Sequence, residues 1–259
     1  MTDRIDGFDA HMHLNDPAFQ AGREEILHRL ALRGYEGAVS GWDIPSSETA
    51  LELASRHTNL HAAVGIHPCY LPEDPDGAMR RLRELAASGA RAIGECGLDE
   101  TGAEPMDKQI GMLNRQLDLA CQIGLPVVLH VRGRHGAMLS LLKKRTTNPP
   151  LLLHGASLGR ELLREYLGLG CLISVGGMVA RERGKRAQET AGLVPPDRLL
   201  IETDCPWQAP VPGRQSQPED LAVVSHAVAK QRNTDGETVL KVTRENAHRF
   251  FGLPLEERG

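Results

Sequence analysis

Short apolar runs alternate with amphipathic stretches along almost the whole chain. Runs at residues 5–10, 37–42, 60–65, 90–96, 126–130, 151–154, 171–175 and 198–203 read as buried strands. Between them lie helical patterns. The stretch Met106–Ile123, MDKQIGMLNRQLDLACQI, carries apolar residues at helical spacing and stops at Gly124. Residues 160–169 and 219–231 read the same way, and Ser46-Ser47 are expected to cap a helix running to His57. About eight strands is the number that closes an α/β barrel. The expected fold class is therefore α/β, a single TIM (β/α)8 barrel spanning residues 1–259, with no linker or low-complexity tract dividing it. A flavodoxin-like open sheet is the rival. It usually needs fewer strands and a phosphate loop, and no G-x-x-x-x-G-K-[ST] occurs.

Composition narrows the function. A formal net charge of -4 excludes a broad basic surface for nucleic acid, and 3% aromatic residues argue against a long base-stacking platform. A nucleic-acid substrate would have to be held locally, by metal ions and a few arginines. The five cysteines (Cys69, Cys96, Cys121, Cys171, Cys205) are widely spread with no C-x-x-C, and read as reduced thiols. The start, MTDRIDGFDAHMHL, has no apolar signal core, and no apolar run approaches the roughly 18 residues of a membrane span. A cytoplasmic chain without membrane contact is expected, a monomer or weak oligomer.

The polar residues gather where strands run out. FDAHMH puts Asp9, His11 and His13 at the end of strand one, and residues two apart in extended chain face the same side. Glu95 ends strand four in AIGECGLD. His130 ends strand five in VVLHVRG, with Arg132 two residues on. His154 ends strand six in LLLHGAS, and Asp204 ends strand eight in LLIETDCPW. In a parallel barrel these ends converge on one mouth, where barrel enzymes keep their active sites. Four histidines and two carboxylates are ligand stock for two divalent cations, and Glu95 is the natural bridge. Each residue also has a plainer reading. A lone strand-end histidine is usually a satisfied core or loop residue, Glu95 can be a buried ion-pair partner, and Asp204 a turn residue. Their joint placement at five strand ends is what chance does not readily produce.

These motifs resemble the TatD family of metal-dependent hydrolases, within the amidohydrolase superfamily. The matches run almost end to end: FDAHMHL, VGIHPCYL, AIGECGLD, QLDLACQIGLPVVLHVRG, LLLHGAS, CLISVGG, RLLIETDCPWQAP and RENAHRFFGL. The resemblance implies a TIM barrel with a two-metal site. His11, His13 and Asp204 would hold one ion, His130 and His154 the other, with Glu95 bridging. Asp204 would also take a proton from the attacking water. His67 of GIHP would lie near the substrate phosphate, and Arg132 is assigned a phosphate-facing role. The implied activity is cleavage of single-stranded nucleic acid from the 3′ end with magnesium, manganese or zinc. This chain departs from the family pattern around the ligands. Glu100-Thr101-Gly102 replace an aromatic run, and His154-Gly155-Ala156-Ser157 replace H-C-F-S-G. Ser174-Val175-Gly176-Gly177 lack a phenylalanine, and Arg214-Gln215-Ser216-Gln217-Pro218 are what remains of R-G-x-x-N-E-P.

Two other functions stand beside the nuclease: a metal-dependent amide or ester hydrolase, acyl-tRNA deacylation included, and a non-catalytic complex subunit. Tyr70 and Trp207 can stack on a base or pack against the barrel rim, while Trp42 reads as core. Cys96 and Cys205 should point away from the mouth, because their neighbours Glu95 and Asp204 point into it. The remaining histidines, His28, His57, His61, His135, His226 and His248, fall in helical or loop contexts. The basic cluster Arg181 to Arg186 reads as a solvated helix start.

Overall fold

The computed structural model describes residues 6–254, so the first residues of the strand expected at 5–10 lie partly outside it. Eight parallel strands form one sheet in sequence order. They are β1 (Gly7–Met12), β2 (Tyr35–Ser40), β3 (Leu60–Val64), β4 (Ala92–Asp99), β5 (Val127–Arg132), β6 (Leu151–Leu153), β7 (Leu172–Val175) and β8 (Leu199–Ile201). The helices are α1 (Arg23–Arg33), α2 (Ile44–Arg56), α3 (Pro75–Ala87), α4 (Met106–Ile123), α5 (His135–Lys144), α6 (Arg160–Gly168), α7 (Lys185–Leu193), α8 (Leu221–Arg232) and α9 (Gly236–Phe251). The chain downstream of β8 closes the ring against β1. Asp204 N donates to His11 O at 2.9 Å, and His13 N donates to Cys205 O at 2.9 Å.

Local chemistry sets the element boundaries. Helix α2 is capped by Asp43, whose carboxylate accepts from Ser46 N at 2.8 Å, while Asp43 N donates to Ser46 Oγ at 2.9 Å. This reciprocal pair satisfies the free amides of the first turn. The expected Ser46-Ser47 cap is thus corrected: Ser46 stands three residues inside. Helix α4 has the expected bounds and ends on Gly124 in the left-handed region, at φ 72°.

The core has two layers. Between sheet and helices lies an aliphatic shell including Leu98, Leu113, Leu117 and Leu129. Inside the barrel, Ala10, Ala38, Ala63, Ala92, Val128, Leu152 and Leu200 form an apolar lower layer with Phe8 and the α9 residues Phe250 and Phe251. Phe8 stacks on Phe251, ring centroids 5.4 Å apart. His61, expected in a helix or loop, sits in β3 and also stacks on Phe8, ring centroids 5.7 Å apart.

Two β-bulges decide what fills the space above this floor. On β1, Asp9 pairs with Gly37 but Met12 pairs with Val39, three residues against two. On β4, Ile93 pairs with Val127 but Cys96 with Leu129, again three against two. An extra residue reverses the alternation of faces beyond it. Ala92 points inward below the β4 bulge and Ala10 within the β1 bulge, while Met12 and Cys96 above them join the outer shell. His11, His13 and Glu95 thereby turn into the barrel. Strand β5 needs no bulge, since Val128, His130 and Arg132 alternate inward unaided. At the β4 bulge the neighbouring chain comes very close. A Cβ at Gly65 would lie 2.5 Å from the carbonyl carbon of Gly94, so position 65 has room only for glycine.

Candidate metal centre

The six residues singled out at the strand ends meet at one point above the apolar floor. Nε2 of His11 and Nε2 of His13 are 3.0 Å apart. Oε2 of Glu95 lies 3.4 Å from the first and 3.5 Å from the second. Oδ1 of Asp204 lies 3.7 Å and 3.5 Å from the same two nitrogens. The other oxygen of Glu95, Oε1, faces the second pair of rings. It lies 2.7 Å from His130 Nδ1 and 2.9 Å from His154 Nε2. Glu95 therefore splits its carboxylate between two histidine pairs.

Each ring is held from behind. His13 Nδ1 lies 2.9 Å from the backbone carbonyl of Ser40, which can only accept. That nitrogen must carry the hydrogen, and the lone pair on Nε2 is aimed at the centre. His11 Nδ1 meets Ser40 Oγ at 3.0 Å. His130 Nε2 lies 2.9 Å from Oδ2 of Asp99, and His154 Nδ1 lies 3.4 Å from Oε1 of Glu202. Asp99 is itself fixed by the amide and hydroxyl of Thr101, both at 2.7 Å. Glu202 accepts from Gly155 N at 2.7 Å and from the Ser174 hydroxyl. Asp204 takes a left-handed backbone, φ 51°, that short polar side chains tolerate, and Gln208 Nε2 donates to its Oδ2 at 2.7 Å. Asp204 thus presents one oxygen inward with the other already engaged.

This donor set fits divalent cations. The Nε2 atoms of His11 and His13, 3.0 Å apart, are close enough for both to ligate one cation. Sets of nitrogen and oxygen atoms from His11, His13 and Glu95, and from His11, His154 and Asp204, lie within 4.8 Å of one another. His11, His13 and His130 have the hydrogen-bond partner behind them that a metal-ligating ring normally has, and His154 has the Glu202 carboxylate 3.4 Å behind its Nδ1. The charges are mutually dependent. Burial alone would raise the Glu95 carboxyl, but His154, His11 and His67 around it outweigh that and hold it well below its ordinary value. Burial would lower His154, but Glu95 and Glu202 hold it well above.

His67 and Arg132 sit at the wall and rim of the same mouth, a cavity of about 650 Å³. His67 Nδ1 accepts from Cys69 N at 3.1 Å, so its Nε2 carries the hydrogen, 3.6 Å from Oε1 of Glu95. Burial lowers its pKa to about 4, and the ring is a neutral N–H donor. Arg132 is exposed and, among the described residues, has no carboxylate within ion-pair distance. Asp9 does not face the mouth. Its carboxylate accepts from Thr203 N at 3.0 Å and from His11 N at 3.2 Å, tying β1 to the chain after β8. Trp42, expected in the core, lies beyond β2 and lines the cavity. Cys96 and Cys205 are buried in the outer shell, as expected.

Asp99, Glu202 and Ser40 were not singled out in the sequence. Asp99 follows Glu95 at the fourth position and Glu202 precedes Asp204 by two. A carboxylate sharing the inward phase of a ligand strand is the signal that could have found both.

Comparison with known proteins shows the family. Residues 8–252 match the family described as TatD related DNase. Relatives include the 3′-5′ ssDNA/RNA exonuclease TatD of Erwinia amylovora, 34% identical over 95% of this chain and 100% of that protein. The metal-dependent hydrolase YabD of Bacillus subtilis is 31% identical over 95% of this chain and 99% of its own. Among solved structures, the TatD homolog YjjV of Escherichia coli superposes with a TM-score of 0.86 at 29% identity, covering 96% of this chain and 98% of that one. The chain belongs to the TatD-related DNase family of metal-dependent hydrolases.

Proposed function

We propose that this hydrolase cleaves phosphodiester bonds at the 3′ ends of single-stranded nucleic acid, using two divalent cations joined by Glu95. The observation that carries this reading is the split of the Glu95 carboxylate between His11 with His13 and His130 with His154. His11, His13 and Asp204 would hold one cation, His130 and His154 the other. Bound there, magnesium, manganese or zinc would polarise a phosphoryl oxygen and acidify a water near neutral pH.

The remaining work falls to the side chains. Asp204, its carboxylate oriented by Gln208, would take the proton of the attacking water. His67 donates its Nε2 hydrogen to a phosphate oxygen without adding charge. Arg132 supplies the positive charge at the rim, where no carboxylate of the described residues lies within ion-pair distance. The TatD relative of Erwinia amylovora, a 3′-5′ ssDNA/RNA exonuclease, supports the choice of bond and strand. The test is cleavage of a 3′-labelled single strand with manganese. Glu95→Ala and Asp204→Ala should each abolish it with the far-ultraviolet dichroism unchanged. Wild-type-like cleavage by either variant would contradict the assignment. Faster turnover of an ester or amide than of any phosphodiester would move the reading to a different bond.

A further inference from the structure

The chain has only two tryptophans and three tyrosines. Both tryptophans and one tyrosine stand at the barrel mouth. They form an arc of touching rings around one side of it. Trp207 meets His13 with centroids 5.0 Å apart, and Trp42 meets His13 at 5.5 Å. Tyr70 follows Trp42 at 6.4 Å and closes the arc on His67 at 5.8 Å. The rings come from the loops after β8, β2 and β3, which with β1 are consecutive around the barrel.

Rim packing does not account for them. Trp207 and Tyr70 are 49% and 53% exposed, and none of the three rings belongs to either core cluster. Large aromatic surface left open beside a catalytic centre costs free energy in water unless a ligand covers it. The opposite side of the mouth carries Arg132, on β5. One flank is thus aromatic and the other cationic, with the histidine and carboxylate cluster between them.

We propose that Trp207, Trp42 and Tyr70 form a stacking platform for the base of the 3′-terminal nucleotide. This rests on the phosphodiester reading of the site. With the scissile phosphate at the cluster, the terminal base lies on the arc and the preceding phosphate faces Arg132. Stacking accepts any base, since every base has a π-face. It also supplies local affinity to a chain whose net charge of -4 gives none at long range. The platform is short, a few rings long, and fits one end of a strand.

The experiment compares wild type, Trp207→Ala, Tyr70→Ala and Trp207→Phe on two single-stranded oligonucleotides. The two differ only in whether the 3′-terminal residue carries a base or is abasic. Binding is read in parallel by quenching of tryptophan fluorescence, which reports the mouth alone because both tryptophans are there. The alanine variants should raise KM for the intact strand about tenfold, with kcat within about twofold. On the abasic strand they should behave as wild type, and Trp207→Phe should restore the intact-strand KM. Equal losses on both strands, or no loss on either, would overturn the platform. Cleavage of neither strand by the wild type, with quenching by the intact strand but not the abasic one, would overturn the phosphodiester reading and leave the platform standing. Equal quenching by both strands would overturn the platform.

Discussion

Oδ2 of Asp99 lies 2.9 Å from Nε2 of His130, on the side of the ring away from Glu95. The carboxylate fixes which nitrogen carries the hydrogen and so keeps the Nδ1 lone pair directed at the centre. Asp99→Ala should weaken divalent-metal binding about 10–100-fold, with the barrel still folded. A competition titration against a chromophoric chelator reads this directly. Unchanged affinity would mean that Asp99 only braces the β4 loop. Ser40→Ala should cost less, because the Ser40 carbonyl that holds His13 is backbone and survives the substitution.

Gly97 offers a sharper geometric test. A Cβ placed there would lie 1.8 Å from the carbonyl oxygen of His130. Gly97→Ala must therefore push β4 and β5 apart at the level of the second histidine pair. A loss of about 3 kcal/mol is expected, the upper end of overpacking costs. Denaturant unfolding gives the stability, and the same chelator competition should show loss of the His130 site.

Metal removal should be visible in stability. Bound ions stabilise the folded chain by mass action, so chelation should lower the unfolding temperature by about 5–10 °C, restored by manganese. Metal must displace the proton that Glu95 and Glu202 hold on His154, whose pKa is raised. Binding should therefore release protons and tighten as pH rises, which calorimetry in buffers of different ionisation enthalpy measures.

At the other end of the barrel, Glu36 holds Arg244 Nε at 2.7 Å and His248 Nε2 at 3.1 Å. Burial would raise Glu36, but the hydrogen bonds from His248 and Arg244, with His61 Nε2 3.6 Å away, hold it well below its ordinary value. The Glu36 hydrogen bond in turn raises His248. A depressed carboxylate contributes stability above its unfolded pKa of 4.5 and loses it as pH falls. A raised histidine contributes fully below 6.5 and loses it as pH rises through the folded value. Glu36→Gln should thus cost most between those two values, about 2 kcal/mol, and less on either side. A deficit independent of pH would contradict this.

Salt dependence separates Arg132 from the aromatic arc. A single phosphate contact on single-stranded nucleic acid changes the slope of log affinity against log salt by about 0.7. Arg132→Ala should flatten the slope by that amount. Trp207→Ala should weaken binding at every salt concentration with no change of slope.

Much of this architecture was legible in the chain. All eight strands lie where short apolar runs stand, and Met106–Ile123 is helical to the residue. The six strand-end donors meet in the structure because every parallel strand delivers its end to the same mouth. What was not legible depends on register. The period-two rule places His11 and His13 together, but only the bulges at β1 and β4 turn them, and Glu95, inward past Ala10 and Ala92. A bulge is a relation between two strands, so one strand's pattern does not display it. Asp99 was hidden because β4 runs three residues beyond Cys96, where the apolar run had ended. Trp42 was read as core because its hydrophobicity is core-like, although its backbone lies past the end of β2.

The most direct test of the two-cation centre is anomalous diffraction from crystals of the wild-type protein grown with manganese. Two peaks are expected, one among His11, His13 and Asp204, the other between His130 and His154, with one Glu95 oxygen facing each. A single peak, or a second peak that does not touch Glu95, would contradict the account.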